Sequence, residues 1–221
     1  MDSNYPCGWQ WAYAESPETF DAFAQAEDPD GLAVAALLKH SDWAEKRILE
    51  IGCGTGRWSV QLATASRAQE WVATEPSRKM LALAKQHDDT PASLMFHQAK
   101  AQAIALPDST FDAIFAGWVL GYLKPTVFDE AIKEAQRLLK PGGHIWLFEN
   151  GSTDGGIPQD ARNIERLQNS GFELVESIST HLEFRDSAMG QQTLNALFAP
   201  HATPVVDKNG QVAHTICLWR L

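Results

Sequence analysis

The stretch EIGCGTGRW, residues 50–58, follows an apolar run and packs three glycines, Gly52, Gly54 and Gly56, into five positions. Glycine tolerates positive φ and has no Cβ, so a run of this kind lets a ligand lie directly on the backbone. The residues before it, KRILEIG, read as a buried strand, and those after it, RWSVQLATAS, as a helix. A strand, a glycine turn and a helix start together offer unpaired amides and a positive dipole end, which suit an anionic or polar ligand.

Working outward, the same alternation recurs. EWVATE is a second strand, and SRKMLALAKQH a second helix with Ser77 as its cap. ASLMFHQA and TFDAIFAGW are a third and a fourth strand, the latter apolar on both faces as a central parallel strand is. PTVFDEAIKEAQRLLK is an amphipathic helix expected to stop at Pro141, Gly142 and Gly143, before a fifth strand, HIWLFEN. PQDARNIERLQNSG is a further helix, FELVESIST a sixth strand, DSAMGQQTLNALF a short helix and QVAHTICLW a last strand. Such alternation predicts an α/β fold: one domain over residues 1–221 with a doubly wound seven-stranded sheet, mostly parallel. Within it residues 1–44 read as an aromatic and helical cap, 45–180 as the binding core and 181–221 as a C-terminal strand region.

Composition narrows the partners. The 221 residues are 44% hydrophobic and carry a formal net charge of −10. That acidity weighs against nucleic acid, whose phosphates want a basic face. No window is long and apolar enough for a bilayer span, so no membrane partner is expected. The first residues, MDSNYPCGWQ, lack the pattern of a secretory signal. Cys7, Cys53 and Cys217 have no paired spacing and read as free thiols, which points to a reducing, cytoplasmic setting. Oligomeric state is not legible.

The spacing inside the loop then selects the ligand. A dinucleotide fingerprint would need its third glycine at position 57, where this chain has Arg57. A nicotinamide-dependent oxidoreductase is therefore disfavoured, and a smaller nucleoside ligand is expected. Glu75 ends the second strand 19 residues after Gly56, where a carboxylate can take both hydroxyls of a ribose. Arg57 can meet an anionic carboxylate of the ligand with two parallel hydrogen bonds. The plain alternatives are a tight turn, a solvated strand-end acid and a surface arginine.

With ILEIGCGTGRWS, ATEPS, ALPDSTFDAIFAGWVLGYL and LLKPGGHIWLFEN in order, the chain resembles the class I S-adenosylmethionine-dependent methyltransferases over residues 45–180. The resemblance implies that the last strand of the sheet runs antiparallel and that S-adenosyl-L-methionine is the cofactor. It implies that Gly52, Cys53, Gly54 and Gly56 carry the methionine and ribose and that Glu50 braces the loop near the amino group. Glu75 would hold the ribose, with Pro76 or Ser77 beside the adenine. Ala101 and Gln102 would border the adenine, and Gly117 or Trp118 would lie beside the sulfonium. Over residues 101–150 the run also resembles the protein α-N-terminal methyltransferases. That implies a catalytic group of Trp118, Tyr122 and Asn150, with Asn150 orienting an amine and Tyr122 standing where that family has its base histidine. The family's downstream acid has no clean counterpart, although Asp154 and Asp160 lie nearby.

The acceptor side is the thinnest part. Tyr5, Trp9, Trp11 and Tyr13 crowd the first segment and are expected to wall the acceptor pocket as a lid or cation-binding surface. Tyr5 and Trp9 read chiefly as lid, Trp11 and Phe20 chiefly as packing. The histidines His97, His144, His181, His201 and His214 lack metal-type spacing, so no metal is expected. Asp112 reads as a turn former. The expected activity is methyl transfer to a small molecule by in-line displacement. The alternatives are methylation of a peptide N-terminus and a non-catalytic protein that binds the cofactor.

Overall fold

The computed structural model describes residues 7–198 and 203–221. Seven strands form one sheet: β1 (Arg47–Ile51), β2 (Glu70–Glu75), β3 (Leu94–Gln98), β4 (Phe111–Gly117), β5 (Leu139–Asn150), β6 (Glu173–Glu183) and β7 (Gln211–Arg220). Their order is β3-β2-β1-β4-β5-β7-β6. The first five run parallel, and β7 inserts antiparallel between β5 and β6. Strand order reverses between β1 and β4, so the crevice at their carboxyl ends falls where the glycine loop leaves β1.

The helices are α1 (Cys7–Glu15), α2 (Pro17–Ala26), α3 (Leu32–His40), α4 (Arg57–Ser66), α5 (Arg78–Ala84), α6 (Pro125–Leu138), α7 (Ala161–Asn169) and α8 (Ser187–Phe198). Alternation along β1 distributes them. Ile48 joins Leu37, Trp58, Leu62 and Trp71 in the core under α3 and α4. Its neighbours Leu49 and Ile51 join Phe128, Leu138 and Leu167 under α6 and α7. A third cluster, with Ala12, Phe23, Leu194, Leu197 and Phe198, binds α1, α2 and α8 into a cap. The cap closes tightly because Gly8 has no side chain: a Cβ there would lie 2.1 Å from the Ala196 carbonyl oxygen. Among the described residues no helix is long and apolar enough to cross a membrane.

Ser77 caps α5 by accepting from the Met80 amide, as its position in the sequence implies. Two boundaries differ from the sequence reading. Helix α6 ends at Leu138, before Pro141, because the Ser109 and Thr110 amides take the carbonyls of Arg137 and Leu138. Leu139 already pairs with Phe111, so Pro141, Gly142 and Gly143 lie inside the entry of β5, not at a helix stop. Helix α7 starts at Ala161, not Pro158, because Asp160 accepts from the Arg162 amide and sets the cap. Asp112 accepts from the Arg47 amide at 2.9 Å and pairs with Lys140 at 2.8 Å, tying β4 to β1 and β5.

Asp28 joins the cap to the sheet. Buried at φ +47°, it accepts from the Leu32 and Ala33 amides at 3.0 and 2.9 Å and from the Thr180 hydroxyl at 2.9 Å. Asp28→Ala strands those donors in the interior and is expected to cost about 2–4 kcal/mol. Chemical denaturation measures this; a cost below about 0.5 kcal/mol would mean that water replaces the carboxylate.

Candidate functional site: a glycine-loop cavity under an aromatic cap

The loop after β1 is fastened to the end of β2. The Gly52 and Cys53 amides both donate to the Thr74 carbonyl, at 2.7 and 2.9 Å. Gly52 has φ +77°, and a Cβ there would lie 2.4 Å from a Val119 methyl. Gly56 caps α4 at φ +84°, where a Cβ would press within 2.9 Å of Ala84. These positions therefore require glycine for two reasons at once, backbone angle and space.

Glu75 is fully buried and accepts from the Gly54 amide at 3.1 Å, the Ser77 amide at 2.7 Å and the Tyr13 hydroxyl. Burial pushes its carboxyl up from the usual range, and those three donors oppose the shift. Glu50 is 2% exposed and accepts from the Trp71 indole at 2.8 Å; burial pushes it up to about 7. Burial together with Glu50 and Glu75 also raises the Cys53 thiol, which keeps it protonated and inert.

Arg57 opens α4 but is not a surface residue, being 5% exposed. Its guanidinium lies 4.5 Å over the Trp58 ring, and Nη2 makes a 3.5 Å contact to the Asp28 carbonyl. Nη1 is buried without a hydrogen-bond partner, as is the Thr55 hydroxyl in the same loop. Two unsatisfied buried donors beside a glycine turn are what an anionic carboxylate would complete.

A cavity of about 630 Å³ opens here. The loop side contributes Glu50, Gly52, Cys53, Gly54 and Arg57; the strand ends contribute Gly117, Trp118 and Asn150; the cap contributes Trp9, Tyr13, Phe20, Phe23 and Glu27. Tyr122 also lines it, from a single 3₁₀ turn over Leu120–Tyr122. Its phenol is raised by burial, then by Glu149, Asp160 and Glu27, so it does not ionise in the neutral range.

Trp118 adopts φ +52°, uncommon for a bulky residue. It is held there by its amide on the Phe148 carbonyl at 2.8 Å and its indole N–H on Asn150 Oδ1 at 2.7 Å. The same Oδ1 lies 3.0 Å from His214 Nε2, and Asn150 Nδ2 contacts the Pro158 carbonyl at 3.4 Å. Asn150 Oδ1 is thereby occupied within the protein, while the residue still lines the cavity.

The remaining expected residues separate into groups. Pro76, Ser77, Ala101 and Gln102 lie outside the cavity lining, as do Gly56 and Glu75, which Tyr13 covers. Trp11 is 48% exposed and absent from the cavity wall, so it neither lines the pocket nor packs in the cap. Phe20, read as packing, packs against the cap cluster and also lies over the loop: a Cβ on Gly54 would be 3.2 Å from its ring. Trp9 meets Phe20, Phe23 and Phe198 edge-on while still reaching the cavity. Tyr5 and His201 lie outside the described residues. Asp154 is exposed and Asp160 caps α7. Among the described residues no cluster of acids, histidines or cysteines is arranged for a metal.

Two buried acids escaped the sequence reading. Glu27 follows α2 and Glu149 precedes Asn150 in β5; they are 4% and 3% exposed. Nothing local marks Glu27. Glu149 sat in plain view in the strand HIWLFEN, where an acid after four apolar residues signals a buried charge.

Comparison with known proteins agrees with this geometry. Residues 48–143 match the family model described as a methyltransferase domain. A demethylmenaquinone methyltransferase of Bacillus licheniformis is 27% identical over 129 residues, covering 53% of this chain and 55% of that protein. A fatty-acid O-methyltransferase of Mycolicibacterium smegmatis is 26% identical over 193 residues, covering 81% of this chain and 68% of that protein. The chain spans about half the length of several other curated relatives. The crystal structure of YcgJ from Bacillus subtilis superposes with a TM-score of 0.57 at 16% identity, over 85% of this chain and 96% of that one, and shows the shared fold. Residues 48–143 of this chain are thus similar to a methyltransferase domain, and its sheet shares the fold of YcgJ.

Burial pushes Glu149 up to about 8, with the Gly121 amide opposing and Asp160 adding to the rise. The folded state thus keeps a proton that the unfolded chain releases near pH 4. Its stability is fullest below that pH and declines as pH rises to about 8, where folded Glu149 must ionise. Glu27 and Glu50, both at about 7, act in the same direction. Glu149→Gln is expected to gain on the order of 2–4 kcal/mol at pH 8 and to flatten the slope. Thermal unfolding from pH 5 to pH 9 tests this, and an unaltered slope would show that Glu149 is already ionised in the fold.

Proposed function

We propose that the protein transfers a methyl group from S-adenosylmethionine to a small-molecule acceptor held in the cavity between the glycine loop and the aromatic cap. The observation that carries the reading is the meeting, in one space, of the loop backbone, the unpartnered Arg57 Nη1 and an apolar wall from α1 and α2. The relatives named for demethylmenaquinone and fatty acid act, by their names, on small molecules, which accords with a pocket of this size.

The residues present fit the cofactor. Arg57 Nη1 suits the methionine carboxylate, Glu50 the ammonium, and Gly52 and Gly54 the close approach of its chain. Glu75 suits the ribose hydroxyls once the Tyr13 hydroxyl leaves it, since both need the same oxygens. Pro76, Ser77, Ala101 and Gln102 would border the adenine beyond Tyr13, and Gly117 and Trp118 would flank the sulfonium. When bound, the cofactor supplies an electrophilic methyl group, and the protein's task is alignment and exclusion of water. Trp118, fixed by Asn150 and His214, provides a rigid wall for that alignment. Phe20 and Phe23 shield the loop from solvent. The whole chain acts as one domain in this reading.

Calorimetric titration with S-adenosylmethionine and with its demethylated product tests the assignment. Wild type is expected to bind both in the low-micromolar range, and Glu75→Ala to weaken binding about tenfold or more, roughly 1.4 kcal/mol. Tyr13→Phe removes the competing donor and is expected to tighten binding about three- to tenfold. Failure of both ligands to bind wild type would overturn the reading.

A further inference from the structure

We propose that the methyl acceptor is a small primary or secondary amine with an apolar or aromatic body, and that Glu27 anchors it as an ammonium and takes its proton. The inference rests on the methyl-transfer reading above and goes beyond it by naming the acceptor class and the proton acceptor.

Once Arg57, Glu50 and the loop are assigned to the cofactor, the cavity wall that remains is chiefly aromatic and aliphatic, with Glu27 its one carboxylate and Lys124 at the entry to α6. Trp9, Phe20, Phe23, Trp58 and Trp118 all border the space. Ring faces attract a cation and do nothing for an anion, and a single carboxylate set among them is the arrangement that selects an ammonium. An amine's apolar body would meet the same rings.

Glu27 is positioned rather than merely near. Glu27 bridges to Leu182 near the end of the edge strand β6, and its amide donates to the Ala24 carbonyl at 3.3 Å. Oε2 accepts a long 3.4 Å hydrogen bond from the Trp58 indole. Oε1 lies 3.9 Å from His214 Nδ1. Asn150 Oδ1 can only accept, and it faces His214 Nε2, so the imidazole proton is on Nε2. Nδ1 is then a bare lone pair, buried and without a hydrogen bond, pointing toward Glu27.

With Glu27 ionised, two acceptors face each other with no proton between them. Such a pair turns away a carboxylate and favours donors; an alcohol offers one O–H and no charge, whereas an ammonium brings several N–H groups and a full positive charge. It also gives the proton a place to go. The ammonium passes one proton to Glu27, whose carboxyl is then the missing donor toward His214 Nδ1. The freed nitrogen lone pair forms the bond to the methyl carbon while the carbon–sulfur bond breaks and its electrons stay on sulfur. The products are the N-methylated ammonium and the demethylated cofactor, so atoms and charge balance. Burial brings Glu27 to about 7, against the pull of Arg57 and the Trp58 indole, which suits a base working at neutral pH.

The test uses the protein loaded with demethylated cofactor and three probes of matched shape: phenethylamine, phenethyl alcohol and phenylacetate. Calorimetry at mildly alkaline pH is expected to show the amine binding about tenfold or more tighter than either other probe. Glu27→Gln is expected to abolish that preference while still binding the demethylated cofactor. Equal or tighter binding of the alcohol or the acid to wild type, or no binding of any probe, overturns the proposal without recourse to a variant. A preference that survives in Glu27→Gln assigns it elsewhere and overturns the role of Glu27. Failure of the demethylated cofactor itself to bind strikes instead at the methyl-transfer reading, and this inference falls with it.

Discussion

Glu75 has no water to solvate it. A carboxylate in that position survives only if N–H and O–H groups surround it, and the structure supplies three from three different elements. The Gly54 amide comes from the loop after β1, the Ser77 amide from the start of α5, and the Tyr13 hydroxyl from α1. One buried charge thereby fixes the loop conformation, the turn into α5 and the seating of the cap. Removing any one donor leaves the charge short, so the glycine loop is held in its ligand-ready shape even without a ligand.

The same economy governs the rest of the cavity. Its floor and rim carry Glu27, Glu50 and Arg57, with Asp28 just behind, each taken out of water by the packing of α2 against α4 and β6. Arg57 is the only buried cation among the described residues, and three acids pull on it: Glu27, Asp28 and Asp21. Its unpaired Nη1 shows that this attraction does not exhaust its donors. A ligand carboxylate arriving there would draw Arg57 away from Glu27 and leave that acid more exposed to whatever cation shares the space. Cofactor binding and acceptor binding are thus coupled through one guanidinium, in the sense that each ligand alters the charge the other meets.

Local features were legible in the sequence because their causes are local. The strand–glycine–helix run at residues 47–66 and the Ser77 cap follow from spacing and residue type alone. Helix α6 was overrun because its end is set by the amides of Ser109 and Thr110, far away in the chain. The two cap residues diverge for the same reason. Trp11 on α1 and Phe20 on α2 are both aromatic in helical segments, and only the docking of these helices on α8 turns Phe20 toward Gly54 and leaves Trp11 exposed. Glu27 was invisible, since its value comes from His214, 187 positions later, and from Trp58. What an acid can do depends on which groups fail to neutralise it, and no single stretch of sequence records that.

The division of labour between core and cap follows from their separate packing. The sheet and the helices α3 to α7 form two continuous cores that hold the loop, Glu50 and Arg57 with little freedom. The cap has its own cluster around Phe23, Leu194 and Phe198, joined to the sheet by Asp28 and by the Glu27–Leu182 bridge. An element with its own small core can shift as a body at modest cost, because its internal contacts travel with it. The displacement needed for Glu75 to release Tyr13 is of that kind. Any such movement also carries Phe20, Phe23 and Glu27, since all of them belong to or adjoin α2. On the proposed reading, the group that competes for the cofactor's ribose and the groups that receive the acceptor would move together, and the order of binding would be set by the cap and not by the sheet.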